Sequence, residues 1–577
     1  MTSVGTAKPS RRGRRRPVDG QARTRRHAAP DAVALPLVPD SRVWRKMDLA
    51  GGWTAWVMWY GGFAGQEATL QAVLNAADGS ETALIAAARK LAGHGALLAH
   101  KDGVALGMTD VVASVPLYCA GARIAADGRD LVKAAGLGGI DQRSALQIAL
   151  AGYTVGRRTL TPGLEALKPG EIVVVDALGR RHLRYARYVG EPDEAIDPAD
   201  PQVMAQHNAM LLGLIEQLAR DAGGRTIAVP LSGGLDSRAI ASGLKLVGYD
   251  KVLCFSYGLP DNHEASGAQR VAKRLGYPWR FVGYEPKSLR AFFTGETAQR
   301  FFTFADRPDA MPFMQDVPAI ERLRHDGLLP EDAIIVNGQS GDYIAGNHIP
   351  AAIGASRAPE RLTRDALFHA IRAKHFDLWA FLETPAAVDA IKADVLKDLG
   401  DCVGDSMTRK DAVIAYELSE FENRQSKYVV AGQRCYEMFG YEWRLPLWEP
   451  ALVEYWRRMP LAAKFGRRLF QSALEAANWC GVWGADWRFS RTVVPSWLRP
   501  LRLGVKALLA PAGKDVWHRA EKHVFEWRAD PIQNYAIAPY RRVLFDRRGF
   551  RNALSWHAEA YLARHGVSLD ALAAGAD

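Results

Sequence analysis

The chain has 577 residues, of which 48% are hydrophobic and 24% charged, a length that exceeds one compact core and a composition typical of soluble globular domains. Its net charge of +11 is drawn largely from Arg11, Arg12, Arg14, Arg15, Arg16, Arg23, Arg25 and Arg26 in a head without apolar periodicity, which reads as a solvated leader and not as a nucleic-acid surface. No stretch reaches the roughly 18 apolar residues of a membrane helix, and residues 32–38 are too short and too Pro-interrupted for a secretory signal, so a cytoplasmic protein is expected.

In chain order, a disordered basic leader over 1–40 precedes a first domain over 41–190. There the short apolar runs 53–60, 96–98 and 172–175 alternate with Gly-rich turns, which predicts mainly strands with a few helices. An acidic linker over 191–201 carries Pro192, Pro198 and Pro201. Val203, Met204, His207, Met210, Leu211, Leu214, Ile215 and Leu218 then recur at helical spacing. Strand 226–231, a turn at 232–234, helix 236–247, strand 251–257, helix 263–275 and strand 279–284 follow. Strands alternating with helices in this way predict an α/β domain over 203–480 with a doubly wound parallel sheet, whose ligands bind beyond the carboxyl ends of the strands. Past residue 360 the pattern is mostly helical, and the Trp/Arg-rich stretch 481–577 reads as a C-terminal extension. The cysteines Cys119, Cys254, Cys402, Cys435 and Cys480 show no CxxC pairing, so neither a disulfide framework nor a zinc site is expected.

The chemistry concentrates in Ser232-Gly233-Gly234-Leu235-Asp236-Ser237, between the strand ending at Leu231 and the next helix. Two glycines let the backbone approach phosphate oxygens, amides at a helix start and Ser hydroxyls donate to them, and Asp236 adds an oxygen ligand for a bridging magnesium ion. A plain capped Gly turn would have the same local sequence. The Walker pattern is absent. The motif resembles the loop with which N-type ATP pyrophosphatases bind the pyrophosphate part of ATP. Asn337-Gly338-Gln339-Ser340-Gly341-Asp342 resembles a second segment of the asparagine synthetases, with Asp342 at the position of another magnesium-binding aspartate. Arg424 to Lys427, followed by Gly440-Tyr441-Glu442-Trp443-Arg444-Leu445-Pro446, resembles a third.

That resemblance implies an adenylating amide ligase using ATP and Mg2+. Leu231, Ser232, Gly233, Gly234, Asp236, Ser237, Tyr257 and Gly338 would bind ATP, and Asp236 and Asp342 the metal. Asp236, Asp342, Gln339, Lys427 and Lys464 would act in catalysis; Lys464 and the pair Arg467-Arg468 fall near a family lysine that acts on the adenylate. Glu442 and Arg444 would bind substrate, or else form a structural ion pair. Gln339 stands where the family has a catalytic Glu, and a Gln cannot accept a proton at neutral pH. In the first domain, residues 110–118 and 167–170 resemble the later half of an Ntn-hydrolase-like glutaminase domain; Thr2 follows Met1 and no cysteine precedes Cys119, so a degenerate domain without glutaminase activity is expected. Residues 260–265, 347–350 and 421–427 resemble homologues from bacterial surface-polysaccharide clusters, which makes a uronic acid of a glycan precursor as fitting a substrate as aspartate. Attack by ammonia, with a separate glutaminase as a candidate source, competes with closure by an amine of the substrate, as in lactam and lasso-peptide relatives, and with a non-catalytic ATP-binding role.

Overall fold

The computed structural model describes residues 36–38, 44–60, 66–77, 79–260, 262–489, 496–521, 525 and 536–574. Most of the leader expected at 1–40 lies outside the described residues; Leu37, inside it, bridges to Ala125. The strands in chain order are β1 (Arg45–Leu49), β2 (Trp53–Tyr60), β3 (His94–Lys101), β4 (Val104–Thr109), β5 (Tyr118–Ala120), β6 (Arg123–Ala125), β7 (Glu165–Ala166), β8 (Glu171–Asp176), β9 (Gly179–Arg184), β10 (Ile227–Pro230), β11 (Val252–Gly258), β12 (Trp279–Gly283), β13 (Ile334–Val336), β14 (Arg361–Thr363), β15 (Ser406–Thr408) and β16 (Glu442–Arg444).

The first half is built on a six-stranded antiparallel sheet of order β1-β2-β3-β4-β8-β9, beside a small sheet β6-β5-β7. Successive side chains on a strand face opposite ways. Trp53, Ala55 and Val57, with Leu97, Ala99, Leu106, Ile172 and Val174, therefore bury one face against Leu70, Val73, Leu74 and Leu84 of the helices Glu67–Ala77 and Glu81–Ala88. Met58, Tyr60, Ala96, Leu98, Val173 and Val175 bury the other face in a core shared with the second half of the chain. Both faces are covered, so this half does not stand apart from the rest. Tyr60 packs on Trp443 with ring centroids 4.5 Å apart, and a ring nitrogen of His94 lies 3.1 Å from the Trp448 carbonyl.

The expected parallel sheet is present, with order β12-β11-β10-β13-β16 and every pair parallel. From β10 the chain winds outward through β11 to β12, then returns to the other side of β10 for β13 and β16. The strand order thus reverses between β10 and β13, where loops leaving adjacent strands diverge and open a crevice. The helix Pro201–Ala222 that introduces this half starts on an Asp200 cap with Pro201 in its first turn and ends on left-handed Gly223.

The stretch expected as an appended extension is built into the molecule where it is described. Residues 536–574 close a second core in which Phe550, Trp556, Tyr561 and Leu572 pack with helix Gln142–Ala151 and with Trp379, Leu367 and Tyr416. Trp479, Val482 and Trp483 pack around helix Leu235–Leu246. Aromatic anchors that each find a separate partner leave no periodic trace in sequence. Among the described residues no helix is long and apolar enough to cross a membrane.

The two halves are joined through one unusual segment. Helix Arg409–Glu420 passes directly into a nine-residue π-helix, Phe421–Val429. Buried Glu422 meets Arg184 at 2.7 Å, Lys168 at 3.0 Å and Arg187 at 3.3 Å, all from the first half. Lys427 donates to the Thr154 carbonyl at 2.9 Å, the Thr154 hydroxyl at 3.1 Å and the Gly156 carbonyl at 2.6 Å. Burial would raise the Glu422 carboxyl, but Arg184 and Lys168 outweigh it and hold it below the usual range, whereas burial pushes Lys427 down to about 8.

Glu422→Gln leaves Lys168, Arg184 and Arg187 without their shared anion and is expected to lower the unfolding free energy in urea by about 3–5 kcal/mol. In the wild type the Glu422 contribution is complete above the ordinary Glu pKa and is lost as pH falls toward the depressed folded value, so the urea midpoint drops on acidification and the drop is smaller in the variant. Lys427→Met orphans acceptors at 154 and 156 and should cost about 1–3 kcal/mol for each one left unpaired. Because the folded state gives up the Lys427 proton near pH 8 and the unfolded state only above 10, stability should rise with pH across that window in the wild type, and not in the variant.

Candidate active site at the switch point

The loop Ser232–Ser237 leaves β10 at the crevice. Its geometry is set by its own hydroxyls: the Ser232 amide donates to Ser237 Oγ at 3.0 Å, the Gly234 amide donates to Ser232 Oγ at 3.1 Å, and the two hydroxyls are 3.2 Å apart. Leu231 is buried beneath it, its amide donating to the Phe255 carbonyl at 2.8 Å and its carbonyl accepting from Ser256 Oγ at 2.6 Å. The cap residue of helix Leu235–Leu246 is Gly234, which has no side chain to satisfy the first amides of the helix. An anion can take that place.

The second loop, leaving β13, presses against the first. A Cβ at Gly338 would stand 2.8 Å from Asp236 Cβ and 3.0 Å from the Ser237 amide, and one at Gly341 would stand 2.7 Å from Asp236 Oδ1. Only glycine permits this approach. Between them Ser340 takes a left-handed conformation at φ 62°, secured by donation of its hydroxyl to Gln425 Oε1 at 2.8 Å. This contact brings Asp342 toward Asp236.

The two carboxylates differ. Burial, with the nearby Asp342 charge, pushes Asp236 up to about 6 against the opposing pull of Arg467, whose guanidinium is paired with both Asp236 oxygens. Burial would also raise Asp342, but the His348 hydrogen bond outweighs it, helped by Arg467 and Arg424, and holds this group well below the carboxylate range. His348 Nε2 lies 3.0 Å from Asp342, and its Nδ1 bonds to Glu420. Glu420 is fully buried and is met further by Gln425 Nε2 at 2.8 Å, His375 at 3.2 Å and Arg424 at 3.4 Å. Arg467 reaches Asp236 because the chain kinks there: Gly466 and Arg467 are both left-handed, at φ 69° and 61°, between the helices Leu461–Lys464 and Arg468–Ala477.

Around this centre, the Tyr257 ring stacks on Tyr284 with centroids 4.9 Å apart, and the hydroxyls of Tyr257 and Tyr436 both donate to buried Asp316. Gln339 Oε1 accepts from Gln433 Nε2, so two neutral amides occupy the position where the sequence comparison expects an acid. Arg238 donates to the Gly233 carbonyl at 2.8 Å from between Trp483 and Phe489, whose rings lie 5.2 and 5.1 Å from its guanidinium carbon.

Of the residues singled out from sequence, the structure gathers the loop from Leu231 to Ser237 with Gly338, Gln339 and Asp342, and places Tyr257 on the neighbouring strand. It does not bring the others there. Lys427 turns away to Thr154 and Gly156. Lys464 is buried on Glu417 at 2.6 Å, and it is Arg467, three residues on, that meets Asp236. Glu442 bonds Arg225 at 2.8 Å and Arg444 at 3.0 Å, which is the ion-pair alternative for that segment. Sequence reasoning missed the roles of His348, Glu420, Arg424, Gln425 and Arg238; the crowding of acid, base and amide side chains over 417–427 was the available signal.

Residues 219–477 match the family model for asparagine synthase. No curated protein matches the chain. Among solved structures, the chain is similar to the glutamine phosphoribosylpyrophosphate (PRPP) amidotransferase from B. subtilis complexed with ADP and GMP, at 14% identity and a TM-score of 0.15, over 52% of this chain and 59% of that one. The chain therefore spans less than two thirds of that structure's length. The matched segment contains the Ser232–Ser237 loop, Asp342 and Arg467, and residues 219–477 of this chain therefore form a domain of the asparagine synthase family.

Proposed function

We propose that the protein is an amide ligase that adenylates a carboxylic acid with ATP, releasing pyrophosphate, and passes the acyl group to ammonia or an amine with release of AMP. The observation that carries this reading is the convergence of Asp236 and Asp342 at the switch point, on loops pressed together through Gly338 and Gly341 beside an uncapped helix start. The amide end of helix Leu235–Leu246 and the hydroxyls of Ser232 and Ser237 would hold the phosphates, and the Tyr257 side of the crevice would take the adenine.

Two carboxylates are the hard oxygen donors that magnesium takes alongside phosphate and water, and a cationic group already sits on Asp236, so the donor set fits Mg2+ held by Asp236 and Asp342. Bound there, the ion would neutralise charge on the phosphates as pyrophosphate leaves. Arg467, displaced from Asp236, is placed to donate its fork of N–H groups to that leaving group. His348 and Glu420 keep Asp342 ionised and oriented. Gln339 and Gln433 can orient a nucleophile but cannot take its proton. Aspartate and a uronic acid of a glycan precursor are the substrate classes proposed, with the nitrogen from ammonia, its supply by a separate glutaminase included, in a cytoplasmic setting.

With ATP, magnesium and a panel of carboxylic acids, pyrophosphate and AMP should appear together and only with a cognate acid; Asp236→Ala and Asp342→Ala should each slow release by about 10²–10³-fold. ATP binding without turnover over every acid would refute the reading. Arg467→Ala should lower kcat more than it raises KM for ATP, because its role begins when pyrophosphate departs; an effect on KM alone would assign Arg467 to binding instead.

A further inference from the structure

A second cluster of reactive side chains lies in the first half of the chain, away from the ATP crevice. Cys119 on β5 and Glu165 on β7 are register partners in the small sheet, and His182 reaches them from β9, the edge strand of the large sheet. A sulfur, a carboxylate oxygen and a ring nitrogen of these three lie within 4.8 Å of one another. Both nitrogens of His182 are shielded from solvent: Nδ1 faces Glu171 Oε1 at 3.4 Å, whereas Nε2 stands 3.9 Å from Glu165 Oε2 and makes no hydrogen bond. A shielded ring nitrogen without a partner costs free energy, and such atoms in folded proteins are otherwise satisfied by protein, water or an ion.

The surrounding charges leave three donors for an ion. Arg180 takes Glu165 Oε1 at 2.6 Å, leaving Oε2 toward His182. Glu171 is engaged by Arg157 and, at 2.7 Å, by the Lys168 amide, so it is fixed behind Nδ1 and not offered as a ligand. A carboxylate behind Nδ1 places the proton there and leaves Nε2 bare, the arrangement that orients metal-bound histidines. Sγ, Nε2 and Oε2 are a mixed set that suits Zn2+ and its neighbours better than Mg2+ or Ca2+, and three protein ligands leave a fourth position open. The Glu165 side chain is about one third exposed, which gives an ion a way in.

We infer that Cys119, Glu165 and His182 bind one divalent ion of the zinc class, with Glu171 orienting His182, and that the ion ties the small sheet to the large one. On binding, the Cys119 S–H bond breaks, a sulfur–metal bond forms and that proton leaves to solvent; His182 contributes the Nε2 lone pair, and nothing is oxidised or reduced.

The test uses the full chain without a histidine tag, stripped with chelator and titrated with Co2+ in the absence of ATP. One equivalent should produce a thiolate-to-cobalt charge-transfer band, release about one proton and be displaced by Zn2+. Cys119→Ser and His182→Ala should abolish the band, Cys435→Ser should keep it, and Glu171→Gln should keep it with about 10–100-fold weaker binding. A wild-type protein that shows no thiolate band overturns the inference, as does a band that survives His182→Ala. Should Cys119→Ser fail to fold, His182→Ala on the edge strand carries the same decision.

Discussion

A carboxylate removed from water has to be met, where it lies, by cations and donors. The segment around residue 420 buries three such groups, Glu417, Glu420 and Glu422, the last two of them two positions apart. Two positions on a helix turn the side chain by about 200°, so the charges face opposite sides. One side holds His348, His375, Gln425 and Arg424 and leads through His348 to Asp342; the other holds Lys168, Arg184 and Arg187 of the first half. The wider turn of the π-helix then returns Lys427, five residues after Glu422, to the side of the first half. One stretch of chain therefore positions a site aspartate and fastens the other half of the molecule.

The crevice is balanced electrically by its own side chains. Asp236 and Asp342 face Arg467, His348 and Arg424, cations and a base supplied by the chain itself. The two acids nevertheless keep different affinities for protons, because Asp342 has a close hydrogen-bonded base and Asp236 is mainly desolvated. A divalent ion held there as proposed would have to compete with Arg467 at one acid and His348 at the other, and phosphate oxygens brought with it would offer the arginine a new partner.

Local turn chemistry and hydrophobic runs are short-range properties, and for that reason the Ser232–Ser237 loop, the parallel strands around it and Asp342 at the end of β13 could be read from sequence. Lys427, Lys464, Glu442 and Arg444 lie in equally recognisable segments, yet the direction of each side chain depends on tertiary partners: Thr154 for Lys427, Glu417 for Lys464, Arg225 for Glu442. Arg467 in turn owes its aim to two consecutive left-handed residues that no spacing rule reveals. The Cys119, Glu165 and His182 cluster has no spacing signature at all, because three strands from two sheets supply one residue each.

The second core joins helix Gln142–Ala151 to residues as late as Leu572. A ribosome adding about 5–20 residues per second needs some tens of seconds to supply the missing partners. Until then the helix has Leu160, Met311, Val395 and Leu399 for company but lacks its late partners Trp556 and Tyr561, and loop closure over such a distance adds its own delay. Truncations near the C-terminus should therefore be felt first as aggregation and not as a loss of catalysis.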